Sequence, residues 1–176
     1  MKLCLCAMLF FIVLQSTYSL GQGDVVPQEY QIKARYLLNI PLFTEMPPQL
    51  KKDTSYTVCL IGDTPLESVL EAFRGTLINN RPLTLQKIED LSQMGSCQML
   101  FIGSSERHRL QALLPEAQRR GILTISDMRD FARSGGMVSL QTVNNKVTFD
   151  LNLSAANKAS ITFSTHLLKL ARDIIK

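Results

Sequence analysis

Tyr56-Thr57-Val58-Cys59-Leu60-Ile61-Gly62-Asp63-Thr64-Pro65-Leu66-Glu67 is the stretch whose reading decides the fold. Its first six residues form a short, mainly apolar run with no clean alternation, the pattern of a strand buried on both faces. Gly62 and Asp63 turn the chain, and Thr64-Pro65-Leu66-Glu67 opens a helix. A hydroxyl before proline, with Glu67 three residues after Thr64, predicts a capping box. A doubly covered strand followed at once by a helix is the repeating unit of a parallel α/β sheet.

Working outward, the unit recurs. Upstream, Pro27 opens a helix whose apolar positions include Tyr30, Ile32, Ala34, Leu37, Leu38 and Phe43; Pro41 bends or ends it and Pro47-Pro48 close the segment. Downstream, residues 83–88 alternate like a half-exposed strand, and Met99 to Ser104 is a second buried run. Ser105-Glu106 leads into a helix reaching Arg120, which Gly121 ends. Ile122 to Ser126 is a third buried run, and Asp127 is expected to cap a short helix through Met128 and Phe131. Residues 137–143 and 146–153 flank Asn144-Asn145, a tight-turn pair, and predict a hairpin that gives the sheet an antiparallel edge. Ser154 then opens a final helix with Ile161, Leu167, Leu168, Ala171, Ile174 and Ile175 on its apolar side. The predicted fold is a single α/β domain: a mostly parallel sheet with helices on both faces, an antiparallel C-terminal hairpin and a closing C-terminal helix.

Composition agrees with one folded unit. Of 176 residues, 45% are hydrophobic and 19% charged, which excludes a wholly disordered chain. A net charge of +4 without a Lys/Arg stripe excludes a nucleic-acid footprint. The densest basic groups, Arg107-His108-Arg109 and Arg119-Arg120, read as solvated helix faces. Lys2, the apolar run Leu3 to Leu14 and small residues at Ser19 and Gly21 have the three parts of a secretory signal. That run is shorter than the roughly 20 apolar residues a membrane span needs. Residues 1–21 are therefore expected to be an export signal, with an uncleaved membrane anchor as the alternative, and residues 22–176 the mature domain, with no membrane insertion after cleavage.

Export leaves Cys59 and Cys97, each at the start of a strand-like run. In an oxidising compartment they either bridge neighbouring strands or stay buried as small apolar thiols. A bridge would close a loop worth about 3 to 4 kcal/mol. His108 and His166 have no acidic or cysteine neighbours at metal-ligand spacing, and no G-x-S-x-G is present, so neither a metal, a cofactor nor an enzyme is expected. Gly62-Asp63 ends a buried strand where α/β sheets bind ligands, yet a well-capped turn explains it as well. Gly135-Gly136 marks either a tight turn or a close backbone approach. Asn152-Leu153-Ser154 fits a glycosylation sequon.

Several segments together resemble a known family. They are residues 29–40 around Tyr30 and Lys33, Val58-Cys59-Leu60-Ile61-Gly62-Asp63, Cys97 to Ile102, residues 123–127 with Phe131, and Gly135-Gly136-Met137-Val138. The most specific is Val147 to Ala159, holding Asn152 and Ala156, followed by Leu167-Leu168-Lys169-Leu170-Ala171. In this order they are similar to the YfiR/HmsC family of exported bacterial proteins, over nearly the whole mature chain. The resemblance implies a periplasmic protein that binds the periplasmic sensor region of an inner-membrane diguanylate cyclase and holds it inactive. Lower cyclic-di-GMP, exopolysaccharide and biofilm formation would follow. It also implies a homodimer, and an oxidisable cysteine pair at Cys59 and Cys97. A second, later pair found in some relatives is missing here, and Pro41-Leu42-Phe43-Thr44-Glu45-Met46-Pro47 replaces the usual Phe-x-x-Trp-Pro ending.

Tyr30, Lys33, Phe43, Gly62, Asp63, Gly135, Gly136, Asn152 and Ala156 are the candidate partner or ligand contacts. The helix from Tyr30 to Phe43 either docks a membrane sensor or only covers the sheet. The alternative is a small-molecule sensing domain, using a pocket beside Gly62-Asp63 and Gly135-Gly136 and feeding another receptor such as a histidine kinase. An exported hydrolase would have to use Ser164 or His166.

Overall fold

Residues 27–176 are described by the computed structural model, so the expected export signal, residues 1–21, lies outside them. The helices are α1 (Gln28–Asn39), α2 (Leu66–Glu71), α3 (Leu110–Arg120), α4 (Leu153–Lys158) and α5 (Thr165–Leu170). The longer strands are β2 (Tyr56–Ile61), β4 (Arg81–Ile88), β5 (Met99–Ile102), β6 (Leu123–Ser126), β7 (Val138–Val143) and β8 (Lys146–Asn152). Four short ones complete the set: β1 (Thr44–Glu45), β3 (Leu77–Ile78), β9 (Thr162–Phe163) and β10 (Asp173–Ile175). Eight strands form one sheet in the order β10-β8-β7-β6-β5-β2-β4-β3, while β1 and β9 pair separately. The run β7-β6-β5-β2-β4 is parallel, β8 is antiparallel to β7, and β3 is antiparallel to β4.

Every residue of β2, β5 and β6 is buried, as their unbroken apolar runs require. Tyr56, Val58, Leu60, Met99, Phe101, Leu123 and Ile125 pack with residues of α1, α2, α4 and α5. The intervening Cys59, Ile61, Leu100 and Ile102 pack with α3. Helices thus cover both faces, as the sequence predicts. Cys59 and Cys97 are joined in a disulfide, with Cα atoms 5.6 Å apart. Cys59 is the fourth residue of β2, not its start, and Cys97 precedes β5 by two residues.

Local details depart from expectation. Thr64 forms no capping box: Pro65 sits at the cap, the Leu66 N–H donates to Thr64 Oγ1 at 3.2 Å, and Glu67 turns to Lys87. The capping box lies instead at Asp90 and Gln93, opening a 3-10 segment over Leu91–Ser96. Residues 127–136 form successive turns, not a helix. Ser126 Oγ accepts the Met128 N–H, and the Asp127 carboxylate, expected to cap a helix here, is held by Lys33 instead.

The C-terminal helix is present in two pieces. Asn152, not Ser154, caps α4 by accepting the Ala155 N–H at 2.8 Å. Ser160 then takes a left-handed conformation (φ 56°), which stops the helix and frees Thr162 and Phe163 to pair with β1. Ser164 caps α5, and β10 extends the sheet one strand past the hairpin by pairing parallel to β8. Asn144 and Asn145 make the hairpin turn with φ of 49° and 60°, the positive values that asparagine tolerates.

Candidate functional site

The helix α1 runs between the two ends of the parallel strands. Near its start, the Lys33 ammonium is 2.5 Å from Glu29 Oε1 and 2.8 Å from Asp127 Oδ2, where the chain leaves β6. Its residue is 4% exposed, so this is a buried charge satisfied by two carboxylates. The Tyr30 ring lies 4.6 Å below the ammonium, and Thr142 of β7 donates to Glu29 at 2.7 Å. Burial works against the Lys33 charge, but the Asp127 and Glu29 bonds prevail and hold its pKa above the ordinary value. The Lys33 bond, then that of Thr142, lowers Glu29. Burial raises the Tyr30 phenol. Lys33, through Asp127, and Glu29, through Thr142, thus pin α1 to the carboxyl ends of β6 and β7.

The same helix ends at the amino side in the 3-10 segment Ile40–Phe43. Pro41 forces this change, because it has no N–H to continue the α pattern. Its carbonyl accepts from Asn79 Nδ2 at 3.1 Å, which ties the β3–β4 turn to this corner. Between that turn, β1 and β9 lies a cavity of about 690 Å³ at the amino ends of β2 and β4. Leu42 and Phe43 line it while remaining 49% and 36% exposed. Thr44, Met46, Asn80 and Ser164 contribute walls, and the charged residues present are Glu45, Lys51, Asp53 and Arg81. His166 stacks beside Phe43 with ring centroids 5.2 Å apart. The size lies within the range of ligand and partner clefts, and the lining mixes apolar anchors with a few polar groups.

The carboxyl side is different. Strand order reverses around β2, so a ligand crevice would be expected between β2 and β5. The chain fills it: Ser105 Oγ accepts the Asp63 N–H at 2.9 Å, and a Cβ on Gly103 would meet the Asp63 carbonyl oxygen at 2.5 Å. A Cβ on Gly62 would strike Ser105 and Glu106, each at 2.6 Å. Gly136 likewise makes room for the Phe131 ring, 2.1 Å from where its Cβ would stand. Gly135 lines a cleft of about 510 Å³ with Leu114 and Pro115, and neither Gly62 nor Asp63 is among its walls. The glycine pairs are therefore brought to separate places.

Asn152 and Ala156 lie inside. The Asn152 amide donates to the Ala132 carbonyl at 2.7 Å while capping α4, so the sequon asparagine is engaged within the fold. Ala156 is 1% exposed, and its carbonyl accepts the Ile161 N–H at 2.9 Å. Ser164 Oγ accepts the Leu167 N–H, as a helix cap does. Among the described residues no helix is long and apolar enough to cross a membrane.

Sequence reasoning missed Asp53, Arg81 and Asp127. The signal for Arg81 was legible: Asn79-Asn80 repeats the asparagine pair of the other hairpin, with φ of 49° and 62°. No sequence pattern marks Asp127, whose partner Lys33 lies 94 residues away.

A family model described as YfiR/HmsC-like matches residues 30–172. Comparison with curated proteins finds no match in sequence. Among solved structures, a conserved domain protein of Vibrio cholerae O1 biovar El Tor aligns with TM-score 0.54 and 9% identity, covering 82% of this chain and 60% of that one. An ABC domain from Streptococcus pneumonia, solved with L-Trp, aligns with TM-score 0.54 and 9% identity over 84% and 60% of the two chains. At that identity the likeness is one of fold alone, and this chain spans about 60% of the length of those proteins.

Proposed function

Because the chain belongs to the YfiR/HmsC-like family, we propose that it is a periplasmic repressor of an inner-membrane diguanylate cyclase. Residues 1–21 direct export, and the mature domain, a homodimer, docks on the cyclase's periplasmic sensor region and holds the enzyme inactive. Cyclic-di-GMP and exopolysaccharide output fall as a result. The observation that carries this reading is the amino-end groove, where α1 delivers Leu42 and Phe43 half-exposed to a cavity of about 690 Å³. Apolar side chains held at the rim of an open cleft are what a partner's anchor residues bury. Phe43 is accordingly the docking contact, while Glu29 and Lys33 fix the helix that presents it.

The test is a periplasmic crosslinking pull-down of the tagged mature protein, with cyclic-di-GMP measured in a deletion strain complemented by wild type or by Phe43→Asp. Recovery of a membrane protein with a cyclase domain, a rise in the dinucleotide on deletion and failure of Phe43→Asp to restore it are the expected results. Capture of another sensor, such as a histidine kinase, with unchanged dinucleotide, would overturn the cyclase assignment.

A further inference from the structure

We propose that Asp53 reads a Lys or Arg side chain on the docking partner, and that the buried Gln98 is the residue that positions it. This rests on the docking reading above and deepens it, by naming the chemistry of the segment that enters the groove. The charges lining the groove do not balance equally. Lys51 Nζ stands 3.1 Å from Glu45 Oε1, so that pair satisfies itself. Arg81 donates to the Leu50 carbonyl at 2.8 Å and lies over the Tyr56 ring, 5.1 Å from its centroid. Its cation therefore already has a carbonyl and a π face.

Asp53 has neither kind of partner. Its carboxylate receives the Gln98 Nε2–H at 2.5 Å, and among the described residues no cation lies at ion-pair distance. A neutral amide fixes a carboxylate without cancelling its charge. Gln98 is suited to the task because it cannot swing. It is 0% exposed, and its Oε1 accepts the Thr57 N–H at 2.5 Å. Its backbone N–H donates to the Thr57 carbonyl at 3.0 Å, and its carbonyl accepts the Leu123 N–H at 3.1 Å. A buried side chain held from β2 and β6 thus aims its remaining donor at an exposed acid in the groove. An acid held in place loses little freedom on binding, which is how preorganisation raises affinity. The groove accordingly suits a segment of the sensor region that sets a basic side chain at Asp53 and an apolar one against Leu42 and Phe43. Charge matching of this kind sets partner choice and association rate.

The experiment measures the affinity of the mature protein for the purified periplasmic region of the captured membrane protein, at low and high ionic strength. Asp53→Asn keeps an acceptor for Gln98 and removes only the charge; it should bind about tenfold more weakly and lose most of the salt dependence. Asp53→Lys should bind about a hundredfold more weakly. Gln98→Glu retains the acceptor for Thr57 but sets a second carboxyl group where the donor to Asp53 stood; repulsion displaces Asp53, so binding should weaken while its salt dependence remains. If Gln98→Glu does not fold, the two Asp53 variants decide alone, since that side chain is exposed. Wild-type binding by both Asp53 variants, with binding lost in Phe43→Asp, would leave the docking reading standing and overturn this inference. Wild-type binding by Phe43→Asp as well would overturn both. Salt-sensitive self-association lost in Asp53→Asn, with sensor binding unchanged, would assign the groove to a second copy and overturn it too.

Discussion

The two ends of the parallel strands have opposite fates. At the carboxyl ends, where an α/β sheet usually receives its ligand, Gly103, Ser105 and Glu106 press against Gly62 and Asp63. At the amino ends, β1, β9 and the Asn79-Asn80 turn stand apart around an open cavity. The helix α1 joins the two, with Lys33 clamped at the closed end and Phe43 displayed at the open one. The lesson is that a sheet's topology offers a site without obliging the protein to use it. Stability should therefore depend on the closed end, and the proposed docking on the open one.

Breaking the clamp should cost most. Lys33→Met leaves Asp127 with an uncompensated, mostly buried carboxylate, and should lower unfolding free energy by about 3 to 5 kcal/mol in urea titration. A loss below about 1 kcal/mol would mean that α1 is not pinned there. Next comes the staple: with a sequence separation of 38, Cys59 and Cys97 together replaced by serine should cost about 3 to 4 kcal/mol. Gly103→Ala drives a methyl into the Asp63 carbonyl and should cost about 1 to 3 kcal/mol; wild-type stability would show that the crevice is not truly closed.

The clamp also has a pH signature. Glu29 is lowered by Lys33, so its contribution is complete above the ordinary value of 4.5 and fades as pH falls through the lowered one. Lys33 is raised, so its contribution is complete below 10.5 and fades as pH climbs through the raised one. Melting temperature followed against pH should show less acid loss in Glu29→Gln than in the wild type. The smallest effect sharpens the contrast: Phe43→Ala should change stability by no more than about 0.5 kcal/mol while weakening capture of the membrane partner.

How much of this was legible follows from how far each signal reaches along the chain. The buried runs 56–61, 99–102 and 123–126 announce their strands because each is covered on both faces. The Asn144-Asn145 hairpin announces itself through its turn. Strands of two residues, such as β1 and β9, carry no period to detect, and the groove wall they form was therefore invisible. Asp127 reads locally as a helix cap, and only the distant Lys33 makes it an ion-pair partner. Ser160 broke the expected last helix at a residue with no turn signature of its own. Phe43 was legible as a candidate, but Asp53 was not, because a lone acid in a polar loop has no pattern.

The disulfide has a mechanical consequence. The chain enters the bond in the middle of β2 and leaves it just before β5, so the segment between, with α2, β3, β4 and the Arg81 wall of the groove, hangs as a closed loop. Tension applied between the two termini passes from Cys59 straight to Cys97. With 38 residues of separation, about 130 Å of contour length is withheld from any stretch. A load carried along the chain would thus bypass that wall of the groove until the bond is reduced.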